Sequence, residues 1–377
     1  MNRHGIQAIG VAACLLLTGA GCTSYFTTAP ARQVSDQGPI KIGFIGPLTG
    51  DVASIGVIAQ AGAQVAQDEI NAAGGINGRQ VQVIFEDGKC NAAAATDAAN
   101  KLINVDRVAA ISGGLCSTET SAFGPAAMQN KMPVISYCSS APTLTGLGKY
   151  FFRTYPSDAF QGTFAAEYAY NTLRARKVSI LYHVSDIGNG LKDRFTARFQ
   201  ELGGQIAGVE GSAQDNKDYR TQLAKVKASN PDLVYAPMYP DGGTAMVKQY
   251  AELGLKAKIL AIDAWADPKL QQAVSGKADI QYVEVVMPTS EEFNAKILEK
   301  TKGTDVTVCG SQSYDTMKIL AQVIGQVGTD PDKMADALHK VDYQGASGHV
   351  SFDQNGDLTT AQYLIKEIVG GKGVPVE

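Results

Sequence analysis

The sequence has few of the residues, and none of the motifs, on which most catalytic sites depend. It contains 4 histidines in 377 residues, and one of them is His4 in the N-terminal segment. The other three, His183, His339 and His349, do not lie in a G-x-S-x-G or H-E-x-x-H motif. No Walker sequence occurs, no G-x-G-x-x-G follows the first predicted strand, and no two cysteines form a C-x-x-C pair. The sequence therefore favours a binding protein over an enzyme, with no metal ion and no cofactor.

Clusters of basic residues are also missing. The chain has 33 Lys and Arg against 37 Asp and Glu, a formal net charge of -4. A nucleic-acid site needs clustered cations that displace counterions, so no nucleic-acid partner is expected. With 45% hydrophobic and 19% charged residues, the composition is that of a soluble globular protein, not of a disordered chain or a protein of many membrane helices.

The first 22 residues have the pattern of an export signal. A short basic start, MNRHG, precedes the apolar run IQAIGVAACLLL and the small-residue end TGAGC. The end Gly19-Ala20-Gly21-Cys22 resembles a bacterial lipobox, in which Cys22 is lipidated and becomes the mature N-terminus. The triplet Ala29-Pro30-Ala31 offers ordinary signal peptidase an alternative cut. Either cut predicts a location in the periplasm or cell envelope, and only the lipid anchor would contact the membrane.

Beyond a linker at residues 23–38, strand and helix patterns alternate. We predict strands at 41–46, 80–87, 108–113, 133–136, 177–182, 232–236 and 258–262, each followed by a helical segment. This alternation predicts an α/β fold with mainly parallel sheets flanked by helices. A chain of 377 residues is long for a single core, so we expect two lobes.

Two interruptions of the pattern predict where the chain crosses between the lobes. They are residues 151–162 and 283–293. We expect the first lobe to contain residues 39–157 and 288–348, and the second lobe residues 158–287 and 349–377. Asn355-Gly356 between apolar runs predicts a hairpin. The acids around it begin like a calcium loop, but Leu358 and Leu364 stand where that loop needs glycine and glutamate.

Small polar residues follow two predicted strands. Ser117 opens a predicted helix shortly after 108–113, and Ser139 and Ser140 follow 133–136. Ligands of open parallel sheets bind beyond the carboxyl ends of the strands, and a helix N-terminus there suits a carboxylate. Simple N-capping of the helix is the alternative for any single serine. Two serine positions at neighbouring strand ends favour an anion site.

Four cysteines remain after the signal segment, namely Cys90, Cys116, Cys138 and Cys309. An even number in an exported protein is typical of disulfides, but the spacing does not say which residues pair.

The runs IKIGFIGPLTGDVASIG, AGAQVAQDEINAAGGINGRQVQVIFEDGKCNAAAATDAANKLI and GGLCSTETSAFGPAAMQNKMPVIS resemble the bacterial periplasmic binding proteins of the leucine/isoleucine/valine type. The resemblance covers about Lys41 to Lys366. It implies a type I clamp of two lobes joined by several crossovers. It also implies a monomer that delivers an amino acid to the membrane subunits of an ABC permease.

The same resemblance implies roles for individual residues. The family's disulfide falls on Cys90 and Cys116, whereas Cys138 and Cys309 are either two thiols or a second bridge. Ser117 and Ser140, each helped by backbone N–H groups, would bind the ligand carboxylate, and Ser139 would be a further ligand-binding residue beside them. Asp263 and the carbonyl of Cys138 would bind the ammonium group, and Tyr239 would line the pocket.

Departures from the family pattern bear on the ligand side chain. Asp263 is one methylene shorter than the expected glutamate. Ile55 and Ile187 replace aromatic residues, which predicts a wider aliphatic pocket that suits a bulky or aromatic side chain, although core packing is the alternative for each. Trp265 either faces the cleft or packs elsewhere.

These inferences predict a solute-binding protein for a branched-chain or other hydrophobic L-amino acid. One alternative is a sensor that uses the same clamp for an amide, urea or an aromatic acid. Another is an exported enzyme with Cys116 or Cys138 as nucleophile.

Overall fold

The computed structural model describes residues 38–286, 289–303 and 308–376. The predicted signal segment, Cys22 and residues 23–37 of the predicted linker lie outside the described residues.

The strands follow the predicted alternation with helices. They are β1 (Ile40–Gly46), β2 (Val81–Asp87), β3 (Ala110–Gly113), β4 (Val134–Ser136), β5 (Phe151–Arg153), β6 (Lys177–His183), β7 (Gln205–Ser212), β8 (Leu233–Ala236), β9 (Lys258–Ala261), β10 (Ile280–Val285), β11 (Asp342–Gly345), β12 (Gly348–Ser351), β13 (Tyr363–Val369) and β14 (Lys372–Pro375). The helices are α1 (Ala53–Ala72), α2 (Ala92–Lys101), α3 (Ser117–Gln129), α4 (Asp158–Glu167), α5 (Asp186–Glu201), α6 (Arg220–Ser229), α7 (Pro240–Glu252), α8 (Pro268–Val274), α9 (Glu291–Thr301), α10 (Gly310–Val327) and α11 (Pro331–Leu338).

The first lobe is built on a parallel sheet in the order β2-β1-β3-β4-β5. Successive residues of a strand point to opposite faces, and β1 shows this clearly. Phe44 belongs to the cluster that includes α1, and Ile45 belongs to the cluster of α2 and α3. Gly62 lets α1 approach α10, because a Cβ there would lie 2.1 Å from the carbonyl oxygen of Gly310. Helices therefore cover both faces of the sheet.

The second lobe is built on a sheet in the order β14-β13-β10-β9-β8-β6-β7. The strands from β6 to β10 are parallel, whereas β13 is antiparallel to β10 and β14 to β13. The prediction of two mainly parallel sheets with flanking helices is confirmed.

The strands predicted from sequence are all present, with bounds that differ by at most two residues. The predicted first crossing at 151–162 was too long, because β5 and the start of α4 occupy its ends and leave 154–157 as the link. The second crossing follows β10, and a third leads from β12 to β13. The expected lobe boundary at residue 349 falls inside β12, which pairs with β11.

The turn at Asn355-Gly356 forms the predicted hairpin. The N–H of Asp353 donates to the carbonyl of Asp357 over 2.8 Å, and Phe352 bridges Leu358. Asp357 also forms an ion pair. Its carboxylate accepts a hydrogen bond from the buried guanidinium group of Arg153 over 2.7 Å. This ion pair fixes the third crossing to the end of β5.

Candidate functional site

A small cavity lies between the two lobes, beyond the carboxyl ends of strands from both sheets. Its free volume is about 30 Å³, and residues of both lobes line it. This is the edge at which open parallel sheets bind ligands. Seven of the eight predicted ligand residues line it together with five others; the full lining is Ile55, Leu115, Ser117, Cys138, Ser140, Tyr155, Ile187, Tyr239, Asp263, Ala264, Val308 and Cys309.

Ser117 is the first residue of α3 and is 2% exposed. Its hydroxyl oxygen accepts from the backbone N–H groups of Ser140 and Ala141, at 3.2 and 3.0 Å. A hydroxyl has one hydrogen to donate, and neither contact uses it. Ser117 is therefore not the N-cap that the alternative interpretation required, and it can donate to an anion at the positive end of the helix.

Ser139 does not line the cavity, which corrects the prediction for this residue. It is completely buried, and its hydroxyl lies 2.7 Å from that of Thr120 and 3.0 Å from the carbonyl of Gly114. The side chain of Ser139 therefore joins the loop after β4 to the start of α3 and has no group left for a ligand.

The hydroxyl of Ser140 does line the cavity, but it has a partner. It donates to the carboxylate of Asp158 over 3.0 Å, and the N–H of Asp158 donates to the Ser140 carbonyl over 2.7 Å. The pKa of Asp158 is raised well above its usual value. Burial is the largest cause, and the nearby charge of Asp263 is the second. A protonated Asp158 would donate to Ser140 instead and free the Ser140 hydrogen for a ligand.

Asp263 follows β9 and faces the cavity from the second lobe. One carboxylate oxygen accepts from the Tyr155 hydroxyl and from Gln161 over 2.8 Å, and the other accepts from the Ala264 N–H over 2.8 Å. Burial is the largest influence on its pKa and raises it, while these hydrogen bonds oppose the shift. Among the described residues its partners are all neutral, so a cationic ligand group would complete its environment.

Glu119, in the first turn of α3, organises the loops behind Ser117. Its carboxylate accepts from the N–H groups of Cys90, Leu115 and Cys116, each over 3.0 Å. Gly88 provides the space, since a Cβ there would lie 2.2 Å from Oε1 of Glu119. Complete burial raises the pKa of Glu119 to about 7, although the hydrogen bonds from the three N–H groups act to lower it.

The structure contains two disulfides. Cys90 pairs with Cys116, as the resemblance implied, and Cys138 pairs with Cys309, with Cα atoms 5.3 and 5.5 Å apart. Both distances lie in the usual range. The second bridge settles the open state of these cysteines and joins two residues of the cavity wall. Because Cys116 and Cys138 are both paired, neither supplies the thiol that a nucleophilic mechanism needs.

The apolar wall combines residues of both lobes. Ile55 in α1 is 3% exposed and also belongs to the core, whereas Ile187 in α5 is only partly buried. Trp265 does not line the cavity and lies fully buried behind it. Its indole N–H donates to the carbonyl of Met238, the residue before Tyr239, over 2.9 Å. The single tryptophan is therefore placed to report on the pocket wall.

Sequence reasoning missed the polar residues of the first crossing and of α4. Tyr155, Asp158 and Gln161 lie in the segment FFRTYPSDAFQG, which was interpreted only as a link. A signal was available, because the first residues of this segment, FFR, are an apolar strand pattern (β5 of the fold), and the polar residues follow its carboxyl end.

A larger cavity of about 310 Å³ lies at the crossings, lined by residues such as Thr154, Val286, His349 and Gln362. Its lining contains no carboxylate that could face a cation. Among the described residues no group of acids, histidines and cysteines is arranged to bind a metal ion. Within the same ranges, no helix has the length and apolar character needed to cross a bilayer.

Comparison with known proteins gives the family. The sequence profile of the periplasmic binding proteins matches residues 39–372. The chain belongs to the periplasmic binding protein family. A Pseudomonas aeruginosa protein named amino acid binding protein is 31% identical over 342 residues, which are 87% of this chain and 90% of that protein.

Solved structures of periplasmic binding proteins share the fold. The leucine-binding protein LivK of Thermotoga maritima matches with a TM-score of 0.82 and 28% identity, over 90% of this chain and 98% of that one. A solute-binding protein of R. palustris in complex with benzoate matches with a TM-score of 0.81 and 20% identity, over 90% and 96% of the two chains. This periplasmic binding protein therefore has the two-lobed type I fold and is a solute-binding protein of the ABC-transporter class, not an enzyme.

Proposed function

We propose that this periplasmic binding protein binds a branched-chain or other hydrophobic L-amino acid and delivers it to the permease of an ABC importer. One observation carries the proposal. Ser117, with a hydroxyl hydrogen available, and Asp263, with only neutral partners among the described residues, face the same cavity from opposite lobes. An anion site opposite a cation site matches the two charges of an amino acid.

The binding mode follows from these positions. The ligand carboxylate binds Ser117 and the N-terminus of α3, with Ser140 contributing when Asp158 is protonated. The ammonium group binds Asp263 and the carbonyl of Cys138. Charge-assisted hydrogen bonds of this kind contribute roughly 1.5 to 3 kcal/mol each. The aliphatic side chain contacts Ile55 and Ile187, Tyr239 closes the pocket, and the ligand stabilises the closed arrangement of the lobes.

The protein acts as a monomer outside the cytoplasm, anchored by a lipid on Cys22. The apolar segment and the lipobox-like end of the N-terminal 22 residues support the export and the lipid anchor.

A second candidate ligand is an uncharged or anionic solute such as an amide, urea or an aromatic acid. The specific observation in its favour is that Tyr155 and Gln161 already donate to Asp263. Burial also raises the pKa of Asp263, and a protonated acid needs no cation.

The test is a titration of the mature protein, followed by Trp265 fluorescence, against each common L-amino acid and against benzoate, urea and acetamide. We expect L-leucine, L-isoleucine or L-valine to bind in the micromolar range and the other three compounds to bind more weakly. Tight binding of benzoate, urea or acetamide without binding of any amino acid would establish the second candidate instead.

A further inference from the structure

A buried histidine contacts the backbone of the pocket residue Tyr239. His183, the last residue of β6, is 1% exposed, and its Nδ1 lies 3.1 Å from the backbone nitrogen of Tyr239. The backbone N–H can only donate, so Nδ1 accepts and carries no proton. The neutral ring must then carry its proton on Nε2.

The other side of the ring contacts a tyrosine. Nε2 of His183 lies 3.1 Å from the hydroxyl oxygen of Tyr219, and that hydroxyl donates to the carbonyl of Asn216 over 3.0 Å. Burial, with the charge of Lys217, lowers the pKa of His183 to about 4, although Asp51 acts in the opposite direction. The ring is therefore neutral near pH 7, and the direction of each hydrogen bond is fixed.

The first turn of α7 leaves space for this pair. Gly242 follows Tyr239 by three residues, and a Cβ there would lie 2.3 Å from Nε2 of His183 and 2.6 Å from the Tyr219 oxygen. Any larger residue would separate the ring from the hydroxyl. The contact between His183 and Tyr219 is therefore possible only because residue 242 is glycine.

The segment that carries Tyr219 reaches the first lobe. Gln249 in α7 accepts from the Tyr219 N–H over 2.7 Å and donates to the carbonyl of Lys217 over 2.8 Å, which fixes the backbone of both residues. The ammonium group of Lys217 lies 3.2 Å from the carboxylate of Asp51, which precedes α1 in the first lobe. Asp241 in α7 is 3.9 Å from the same ammonium group.

We propose that His183 is a positioning residue of the ligand pocket, which fixes the backbone of Tyr239 and connects it through Tyr219 to the segment whose Lys217 contacts Asp51 across the cleft. The inference rests on the proposed function, because it assigns Tyr239 to a ligand pocket. It requires that ligand affinity and closure of the lobes weaken together when the connection is broken.

Four substitutions distinguish the hydrogen bond at Nδ1 of His183 from the hydrogen bond at Nε2. His183→Phe keeps a ring and removes both hydrogen bonds. His183→Asn keeps an acceptor near the Nδ1 position, and His183→Gln keeps a donor near the Nε2 position. Tyr219→Phe removes only the hydroxyl. Tyr250→Phe is the matched control, because Tyr250 is also a buried tyrosine of the second lobe whose hydroxyl makes a hydrogen bond, to the carbonyl of Ala257 over 2.6 Å, and it does not line the cavity.

The probe is L-leucine, measured by calorimetry. We expect His183→Phe to weaken its binding about tenfold or more, because the buried N–H of Tyr239 loses its hydrogen-bond acceptor, and His183→Asn to restore most of it. Tyr219→Phe and Lys217→Gln should each weaken binding by a few-fold, and Tyr250→Phe should leave it unchanged. Wild-type affinity in His183→Phe, or an equal loss in Tyr250→Phe, would overturn the proposal.

Two ligand-free measurements keep this inference separate from the proposed function. Nitrogen NMR of the free protein at pH 7 should show His183 as the Nε2–H tautomer, and the Nδ1–H tautomer would overturn the proposal. The emission of Trp265, whose indole contacts the carbonyl of Met238 beside Tyr239, should change in His183→Phe and not in Tyr250→Phe. If the wild type did not bind L-leucine while both results held, the proposed ligand would be wrong and the positioning role of His183 would stand.

Discussion

The hydroxyl of Tyr155 donates a hydrogen bond to the carboxylate of Asp263 over 2.5 Å. Tyr155 lies on the first crossing between the lobes, and Asp263 lies at the end of a strand in the second lobe. The acid of the pocket is therefore in direct contact with the segment on which the lobes must move when the cleft opens.

Removing the charge of Asp263 should reduce amino-acid binding, and it should lower the free energy of unfolding by about 1 to 3 kcal/mol because both carboxylate oxygens accept hydrogen bonds. Asp263→Asn replaces a charge-assisted contact to the ammonium group by a neutral one, and we expect a loss of about tenfold to a hundredfold in the affinity for L-leucine. Calorimetry measures the change. Asp267→Asn is the matched control, because Asp267 is equally buried and caps α8 through the N–H of Leu270 over 2.8 Å. Unchanged affinity in Asp263→Asn would remove the ammonium role.

The two buried serines Ser117 and Ser139 should respond differently to alanine. Both substitutions remove the hydrogen-bond partner of buried groups, so each should lower the free energy of unfolding by about 1 to 3 kcal/mol. Of the two, only Ser117 lines the cavity, and the backbone N–H groups that contact its hydroxyl leave the hydroxyl hydrogen unused. Ser117→Ala should therefore also weaken L-leucine binding about tenfold, whereas Ser139→Ala should leave it within about threefold. Equal effects on binding would contradict the distinction between these residues.

The stability of the protein should depend on the ionisation of Glu119. Its pKa is about 7 in the fold against a usual value of 4.5, so the folded state binds this proton more tightly than the unfolded state. The contribution is fully present below pH 4.5 and is lost as the pH rises through 7. The loss is about 3 kcal/mol at most.

Glu119→Gln tests this by urea unfolding at pH 5 and pH 8. The amide group cannot accept from the N–H of Cys90 and from those of Leu115 and Cys116 at once, so the variant should be less stable at pH 5 by about 1 to 3 kcal/mol. The difference should shrink at pH 8. A difference that stays constant between pH 5 and pH 8 would contradict the raised pKa, because it would show that Glu119 is already ionised at pH 5. Asp158 and Asp263 titrate in both proteins, so only the difference between the two is informative.

The bridge between Cys138 and Cys309 should affect both stability and binding. It closes a loop of 171 residues, for which chain entropy predicts about 5 kcal/mol as an upper value. The double variant Cys138→Ala, Cys309→Ala should lower the melting temperature and weaken L-leucine binding, because both residues line the cavity. Cys22 should be absent from the protein used, so that no other thiol interferes. Wild-type affinity with a lowered melting temperature would limit the bridge to a structural role.

The sequence predicted the site residues that follow strands. The position of such a residue depends only on the sheet to which its strand belongs. Ser117 and Ser140 follow neighbouring strands of the first sheet, and Asp263 follows a strand of the second. Ser139 was assigned wrongly because a change of one residue in a loop turns a side chain from the cavity to the interior. Local pattern does not determine that direction.

Other parts of the site depend on contacts between distant segments. Asp158 acquires its role by meeting Ser140 and Tyr155 by meeting Asp263, and these partners lie 18 and 108 residues apart in the sequence. The pairing of Cys138 with Cys309 joins residues 171 positions apart, and no spacing rule predicts it. Local motifs give His183 no role, because its partner Tyr239 lies 56 residues further along the chain.

The most direct test of the central claim compares L-leucine with two molecules that each lack one of its charges. 4-Methylpentanoate is leucine without the ammonium group, and 3-methylbutylamine is leucine without the carboxylate. Calorimetry of the mature wild-type protein should show micromolar binding of L-leucine and at least a hundredfold weaker binding of both analogues, since each leaves one buried polar site unpaired. Binding of 4-methylpentanoate as tight as that of L-leucine would contradict the account, because Asp263 would then have no ammonium group to bind.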